Sequence, residues 1–380
     1  MSDHHPRSAA PQAIRLACFG DSLMWGQGLR PEEKFARRLW DALQPTENAA
    51  AMPRPAADQL MMRAHAGAEI GATPQRASGG TSWWSGLLRA GFGPRAVPAW
   101  LAPHLAGEIA AAPPTVLQQI AAFDGDPALV DLVLVNGGGN DIGVFWYMNP
   151  ATSLAALQQR IEQVCCHDLG RVLLHVAEQF PNACIVVPGY MQSLSAATEK
   201  GLAAGSGGAL VRLIGRLGRP LLDRVFERNV FFREETARQL RRAVQTANPA
   251  GPHDTDEAAR LAAMNERLMF ADVDHFSQEN AANGNHAWVW GIDTSSCSPQ
   301  DALREFRRGA CARFGHWSTP YWASVGHPNA LGAQEIADAI LRRLFAWSRH
   351  TTAPAADRLR AAILRGVQRR GLADAVNPAQ

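Results

Sequence analysis

Lysine is nearly absent from this chain: Lys34 and Lys200 are the only two in 380 residues, and arginine carries almost all the positive charge. Compositional bias is the first reading of that, a functional preference the second. Charge of one sign is also lacking. The formal net charge is +2, so nothing global draws the chain towards nucleic acid or an anionic surface. No stretch reaches the ~18 consecutive apolar residues that a membrane-crossing helix needs. The N-terminal MSDHHPRSAAPQ is polar and has no apolar h-region of a secretory signal. Residues 1–13 therefore read as a disordered tail, and cytoplasmic residence is the default, with non-classical export left open. Cysteine pairs with metal-ligand spacing are missing as well. Cys165-Cys166-His167 has no second ligand pair nearby, and Cys18 and Cys184 lie in apolar runs, where free cysteine behaves as a small hydrophobe. Cys297 and Cys311 flank a short polar segment and can pair only in an oxidising compartment. No internal repeat is visible, and no metal or cofactor is expected.

What is present is an ordinary globular composition, 47% hydrophobic and 19% charged, with ample core. Four apolar runs have the length and β-branched content of buried strands: Ile14–Phe19, Leu132–Asn136, Ala183–Val187 and Leu268–Val273. They lack polar alternation, as strands covered on both faces do. A further, poorly marked strand is expected before Ser78. Helical patterns lie between them, at Pro31 to Leu43, 152–178, 254–267, and after His327, where Ile336, Ile340 and Leu344 form an i, i+4, i+8 stripe. That alternation predicts an α/β fold with a parallel sheet and helices on both faces.

Two stretches fall outside the minimal sheet. Residues 82–125 are rich in Trp, Gly and Pro and read as an irregular excursion, in which Trp83 and Trp84 line a substrate cleft or cover the core. Residues 191–250 begin as a Gly/Ser/Ala-rich loop and continue into helical spacing at Leu210, Leu213, Ile214 and Leu217, with Pro220 expected to separate two short helices. A lid or substrate wall is one reading; the other, favoured here, is an insertion packed on the core. The Arg-rich tail, 348–380, carries Leu359, Ile363 and Val367 on one helical face. It reads as a helix docked on the domain, with a membrane-surface role as the alternative. Residues 14–347 then form the single main domain.

Open parallel sheets gather functional groups beyond the carboxyl ends of their strands. After the first run comes Gly20-Asp21-Ser22-Leu23; after Leu132–Asn136 comes a glycine loop ending in Asn140-Asp141; between them stands Ala77-Ser78-Gly79-Gly80-Thr81; near the end comes Gly326-His327-Pro328-Asn329. Acyl transfer by serine requires a nucleophile, a base and donors at the oxyanion, and these fragments offer each. Ser22 also fits a helix N-cap, Asn140 a turn former, and His327 a surface histidine before a helix. Asp21 is read as structural, bonding the turn backbone. Asp272, Asp274 and His275 resemble a metal cluster but are better read as a strand end, since alternate strand residues face opposite ways.

Taken together, the four blocks resemble the SGNH hydrolases, the GDSL lipase and acylhydrolase superfamily. The resemblance implies a flavodoxin-like three-layer α/β/α sandwich and hydrolysis of carboxylic esters or thioesters. It implies Ser22 as nucleophile, His327 as base, and an oxyanion hole from the N–H groups of Ser22 and Gly79, with Gly80 one register away, and the Asn140 amide. In most of the family an Asp stands three residues before the catalytic His; here Ser324 holds that place. The reading favoured is a Ser–His dyad, with a backbone carbonyl of Ser324 or Val325 orienting His327. A carboxylate from elsewhere, such as Asp293 or Asp274, is the alternative. The implied partner is an acyl ester, lipid included, with peripheral membrane contact left open and nucleic acid excluded. An acyltransferase or deacetylase on a sugar or lipid, or a non-catalytic binding module of this fold, are the competing functions.

Overall fold

The computed structural model describes residues 13–45, 59–71, 107–108, 113–198, 218–247, 267–291, 301–312, 323–351 and 354–372. Among these, β1 (Leu16–Phe19), β2 (Leu60–Met62), β3 (Leu132–Val135), β4 (Cys184–Pro188) and β5 (Leu268–Ala271) form one sheet in the order β2-β1-β3-β4-β5. Every pairing is parallel: Leu16 stands opposite both Leu60 and Leu132, Leu132 opposite Cys184, and Ile185 opposite Leu268. Each apolar run read as a strand contains one, and β2 lies upstream of Ser78, where the weak strand is expected. All residues of β1, β3, β4 and β5 are buried, which explains their unbroken hydrophobicity.

The helices of the first half are α1 (Ser22–Trp25), α2 (Phe35–Leu43), α3 (Val116–Ala121), α4 (Gly139–Ile142), α5 (Val144–Met148), α6 (Leu154–Ile161) and α7 (Leu169–Gln179). A π-helical segment, Glu162–Asp168, joins α6 to α7. The second half holds α8 (Arg219–Thr246), α9 (Arg304–Ala312), α10 (Ala330–His350) and α11 (Pro354–Arg369). One group, α2, α10 and α11, packs together, with α10 reaching β4 and β5; another joins α3, α6, α7 and α8, with α3 against β1 and α8 against β5. In α10 the side chains of Ile336, Ile340 and Leu344 are fully buried. Burying each stabilises by roughly 1.5–3 kcal/mol, whereas propensities differ by under about 1 kcal/mol per residue, so packing orients the helix. The tail helix α11 buries Leu359, Ile363 and Val367, and its Arg365 and Arg369 donate to the carbonyls of Leu43 and of Asp41 and Ala42 near the end of α2.

Two local expectations are corrected. The helix at Pro220 is not short: Pro220 sits in the first turn of α8, which runs 28 residues without a break, and the helical spacing expected at 210–217 lies outside the described residues. A proline there removes no hydrogen bond, because first-turn N–H groups have no intrahelical acceptor. The excursion at 82–125 is not irregular throughout either. Its described end carries α3, started by a capping box in which Thr115 and Gln118 satisfy each other's backbone. The expected helix at 254–267, and Trp83 and Trp84, lie outside the described residues.

The strand order places β2 on one side of β1 and β3 on the other, so the chain reverses direction across the sheet at β1 and β3. A crevice opens at the carboxyl ends of such strands. Gly20 at the end of β1 shows how closely they meet: its φ is +154°, and a Cβ there would lie 1.9 Å from Asn136 Oδ1.

Candidate active site

The turn after β1 is fastened from three sides. Gln119 of α3 accepts from Gly20 N at 2.8 Å and donates to Gly20 O at 2.9 Å. Asn136 Nδ2, just beyond β3, donates to Asp21 Oδ1 at 3.0 Å. Asp21, not Ser22, is the N-cap of α1, accepting from Leu23 N at 2.9 Å. Ser22 thereby becomes the first residue of α1, and its N–H has no intrahelical acceptor. Burial pushes the Asp21 carboxyl above its ordinary range, against the bonds from Leu23, Asn136 and Tyr190 that favour its charge.

His327 reaches the same place from the far end of the chain. Its Nε2 lies 2.7 Å from Ser22 Oγ. The turn that carries it is held between a short antiparallel bridge, Val289 to Pro328, and the N-cap of α10, where Asn329 accepts from Leu331 N and Gly332 N. Trp290 N donates to His327 O at 2.7 Å, and His327 N donates to Ser324 O at 2.9 Å. For Nε2 to accept from Ser22, the ring proton must sit on Nδ1. Among the described residues no group meets hydrogen-bond geometry at Nδ1, although the carbonyls of Ser324 and Val325 lie close enough to favour the charged ring. Burial outweighs them and lowers the His327 pKa to about 4.

Asn140 Nδ2 gives one hydrogen to Ala68 O at 2.9 Å, which orients the amide and, among the described residues, leaves its second hydrogen without an acceptor. Asp141 accepts from Ile70 N at 3.0 Å, tying the glycine loop to the segment after β2. Burial pushes the Asp141 carboxyl up to about 7. Gly139 N donates to Tyr190 Oη at 2.9 Å, and Tyr190 Oη donates to Asp21 Oδ2 at 3.3 Å. A cavity of about 190 Å³ opens beside Ser22, Asn140 and His327. Its apolar wall includes Tyr147, Met148, Met191, Leu194 and Phe232. Tyr147 and Phe232 stack with ring centroids 4.2 Å apart, and Asn229, one turn before Phe232 on α8, accepts from Ser193 N and Leu194 N.

The structure thus brings together Ser22, Asn140 and His327. Gly79 and Gly80, Asp293, and the Cys297–Cys311 pairing fall outside the described residues. Asp274 is exposed, 3.8 Å from His275 Nε2, and does not serve His327. Asp272 pairs with Arg241. Among the described residues no cluster of three or more His, Cys, Asp or Glu side chains is placed to hold a metal, and no helix is long and apolar enough to cross a membrane. Ser324 is fully buried, and its hydroxyl donates to Asp301 Oδ2 at 2.6 Å. Asp301, Gln119, Tyr190, Asn229 and Phe232 are absent from the sequence reading. Tyr190 alone carries a usable signal, since it stands just beyond the end of β4.

No protein-family model matches the chain, and no curated protein matches it in sequence. Among solved structures it is similar to an extracellular lipase from Streptomyces rimosus, at 14% identity and a TM-score of 0.41, covering 86% of this chain and 98% of that one. A phospholipase A1 from Streptomyces albidoflavus NA297 gives 14% identity and 0.41, over 87% and 98%. A GDSL-like lipase from Parabacteroides merdae gives 12% and 0.32, over 91% and 97%. At such identities and TM-scores the likeness carries no chemistry across.

Proposed function

We propose that this chain hydrolyses carboxylic esters through an acyl-enzyme on Ser22, with His327 as general base. The observation that carries the proposal is the 2.7 Å approach of His327 Nε2 to Ser22 Oγ at the mouth of a largely apolar cavity. His327 is half-buried and desolvation lowers its pKa to about 4, so the imidazole is neutral at pH 7 and free to take the Ser22 proton. Oγ attacks the acyl carbon, and charge develops on the carbonyl oxygen. The Ser22 N–H and the free hydrogen of the Asn140 amide are the donors offered to it, with the Gly79 N–H completing the hole in this scheme. Such a donor typically contributes about 3–4 kcal/mol to transition-state stabilisation. His327 then protonates the leaving alcohol, and water repeats the attack on the acyl-enzyme. The cavity wall of Tyr147, Met148, Met191, Leu194 and Phe232 suits an apolar acyl chain.

The test is hydrolysis of short- and long-chain p-nitrophenyl esters by the wild type, Ser22→Ala and His327→Ala. Each variant should lose roughly 10³-fold or more in kcat. The wild-type kcat/KM should stay flat from neutral pH until close to the low His327 pKa, then fall as the base protonates. A folded wild type that cleaves none of these esters, or a Ser22→Ala variant that keeps its rate, would sink the proposal.

A further inference from the structure

A network of buried charges links the two turns of this site, and none of its members lies in the motif blocks. Glu108 is almost fully buried and accepts from Trp25 Nε1 at 2.7 Å, Gln27 Nε2 at 2.9 Å and Gly28 N at 3.0 Å, all just downstream of Ser22. Asp301 accepts from Ser324 Oγ at 2.6 Å, three residues before His327. Arg307, 1% exposed, donates to Glu108 through one arm and to Asp301 through the other, the latter at 2.5 Å. The two turns also touch directly. A Cβ on Gly28 would lie 2.8 Å from Ser324 Cβ and 3.1 Å from Asp301 Cβ, and Gly28 has φ +82°.

Building on the Ser22–His327 reading, we propose that Asp301, held by Arg307 and acting through the Ser324 hydroxyl, is the positioning group for His327 and stands in for the carboxylate missing beside it. The hydroxyl-to-carboxylate bond is short and charge-assisted. It pins Ser324, whose carbonyl accepts from His327 N and faces the ring. The Arg307 guanidinium then ties that turn to the one bearing Ser22, through Glu108. A buried ion triad can exist for stability alone. Here, however, its two carboxylates grip the segments that follow the nucleophile and precede the base. The charges of Asp301 and Arg307 act on His327 in opposite senses, so the influence left to the network is geometric.

Ser324→Ala, Asp301→Asn and the double variant are compared with wild type on a p-nitrophenyl ester. Ser324→Ala should lower kcat about 10- to 100-fold, the scale of an ångström-sized misplacement, with KM within twofold. Asp301→Asn should do the same, and the double variant should be no worse than the poorer single, because both act on one bond. A Ser324→Ala kcat within twofold of wild type, or single effects that multiply, overturns the proposal. If Asp301→Asn fails to fold, the Ser324→Ala split decides alone. The His327 ring resonances, assigned by their loss in His327→Ala, give a readout without substrate. They should shift in Ser324→Ala and overturn the proposal if unchanged, even should the wild type cleave no ester, an outcome that would count against the hydrolase reading only.

Discussion

Replacing Arg307 with Met removes the guanidinium from between Glu108 and Asp301 and leaves both carboxylates in the interior. Burial works against the charge of Arg307, yet its two anionic partners outweigh that and hold its pKa above the ordinary value. Stranding a buried charge of this kind costs about 3–5 kcal/mol. Unfolding entropy of about 2.1 cal/mol/K per residue, over 380 residues, gives roughly 0.8 kcal/mol per degree. The Tm should therefore drop by about 4–6 °C at pH 8. The loss should depend on pH with a definite sign. Burial already raises the Glu108 carboxyl, with Arg307 and Lys34 opposing, and removing Arg307 raises it further. Between the ordinary glutamate range and that raised value, the folded variant binds a proton the unfolded chain does not, so its stability falls as pH rises. Scanning calorimetry should find the gap to wild type widest at about pH 8 and narrower near pH 5. An unchanged Tm at pH 8, or a gap that ignores pH, refutes the clamp's energetics.

Two further outcomes are expected. Phe232→Ala opens the stacked wall opposite Tyr147; at about 0.8 kcal/mol per buried methylene, space for two more should raise the long-to-short ester ratio of kcat/KM roughly tenfold, and an unchanged ratio would place the acyl chain elsewhere. Lys34 is buried over the Trp25 ring, 3.4 Å from Nζ to the centroid. Burial lowers its pKa to about 7, with Glu108 opposing. From there up to its ordinary range, the unfolded chain holds the extra proton, so wild-type stability should rise with pH, and urea midpoints of Lys34→Met should lack that rise.

Strands β1, β3, β4 and β5 and the loops after β1 and β3 were legible because burial on both faces leaves long runs of Val, Leu and Ile, and because strand ends collect functional groups; the block at 77–81 lies outside the described residues. Ser22 and Asn140 were readable as candidates from those two loops, whereas His327 was readable from the Gly326-His327-Pro328-Asn329 block ahead of α10. What supports them was not legible. Asp301 lies 23 residues before the serine it binds, in a segment with no strand or periodic signal, and Glu108 sits in a stretch whose Trp, Gly and Pro content suggested irregularity. Their importance comes from desolvation, which is a property of the assembled interior. The helical insertion was legible as an amphipathic pattern, with the wall only the less favoured of two readings, because the partners of Asn229 and Phe232 come from segments after β4 and β3. The length of α8 was misjudged for a simpler reason: a proline can mark a helix start but says nothing of how far the helix beyond it runs.

The π-helical turn between α6 and α7 has a bearing on the glycine loop. Each residue of a regular helix advances the side chains by about 100°, and the wide turn at Glu162–Asp168 inserts such a phase slip. It directs Val164 and Cys165 under Gly138, whose φ is +111° and where a Cβ would lie 2.8 Å from Val164 Cγ1. The loop that carries Asn140 is thus cast against a flaw in a distant helix. Substitutions that let Glu162–Asp168 relax into ordinary helical winding would recontour the loop without changing any residue in it.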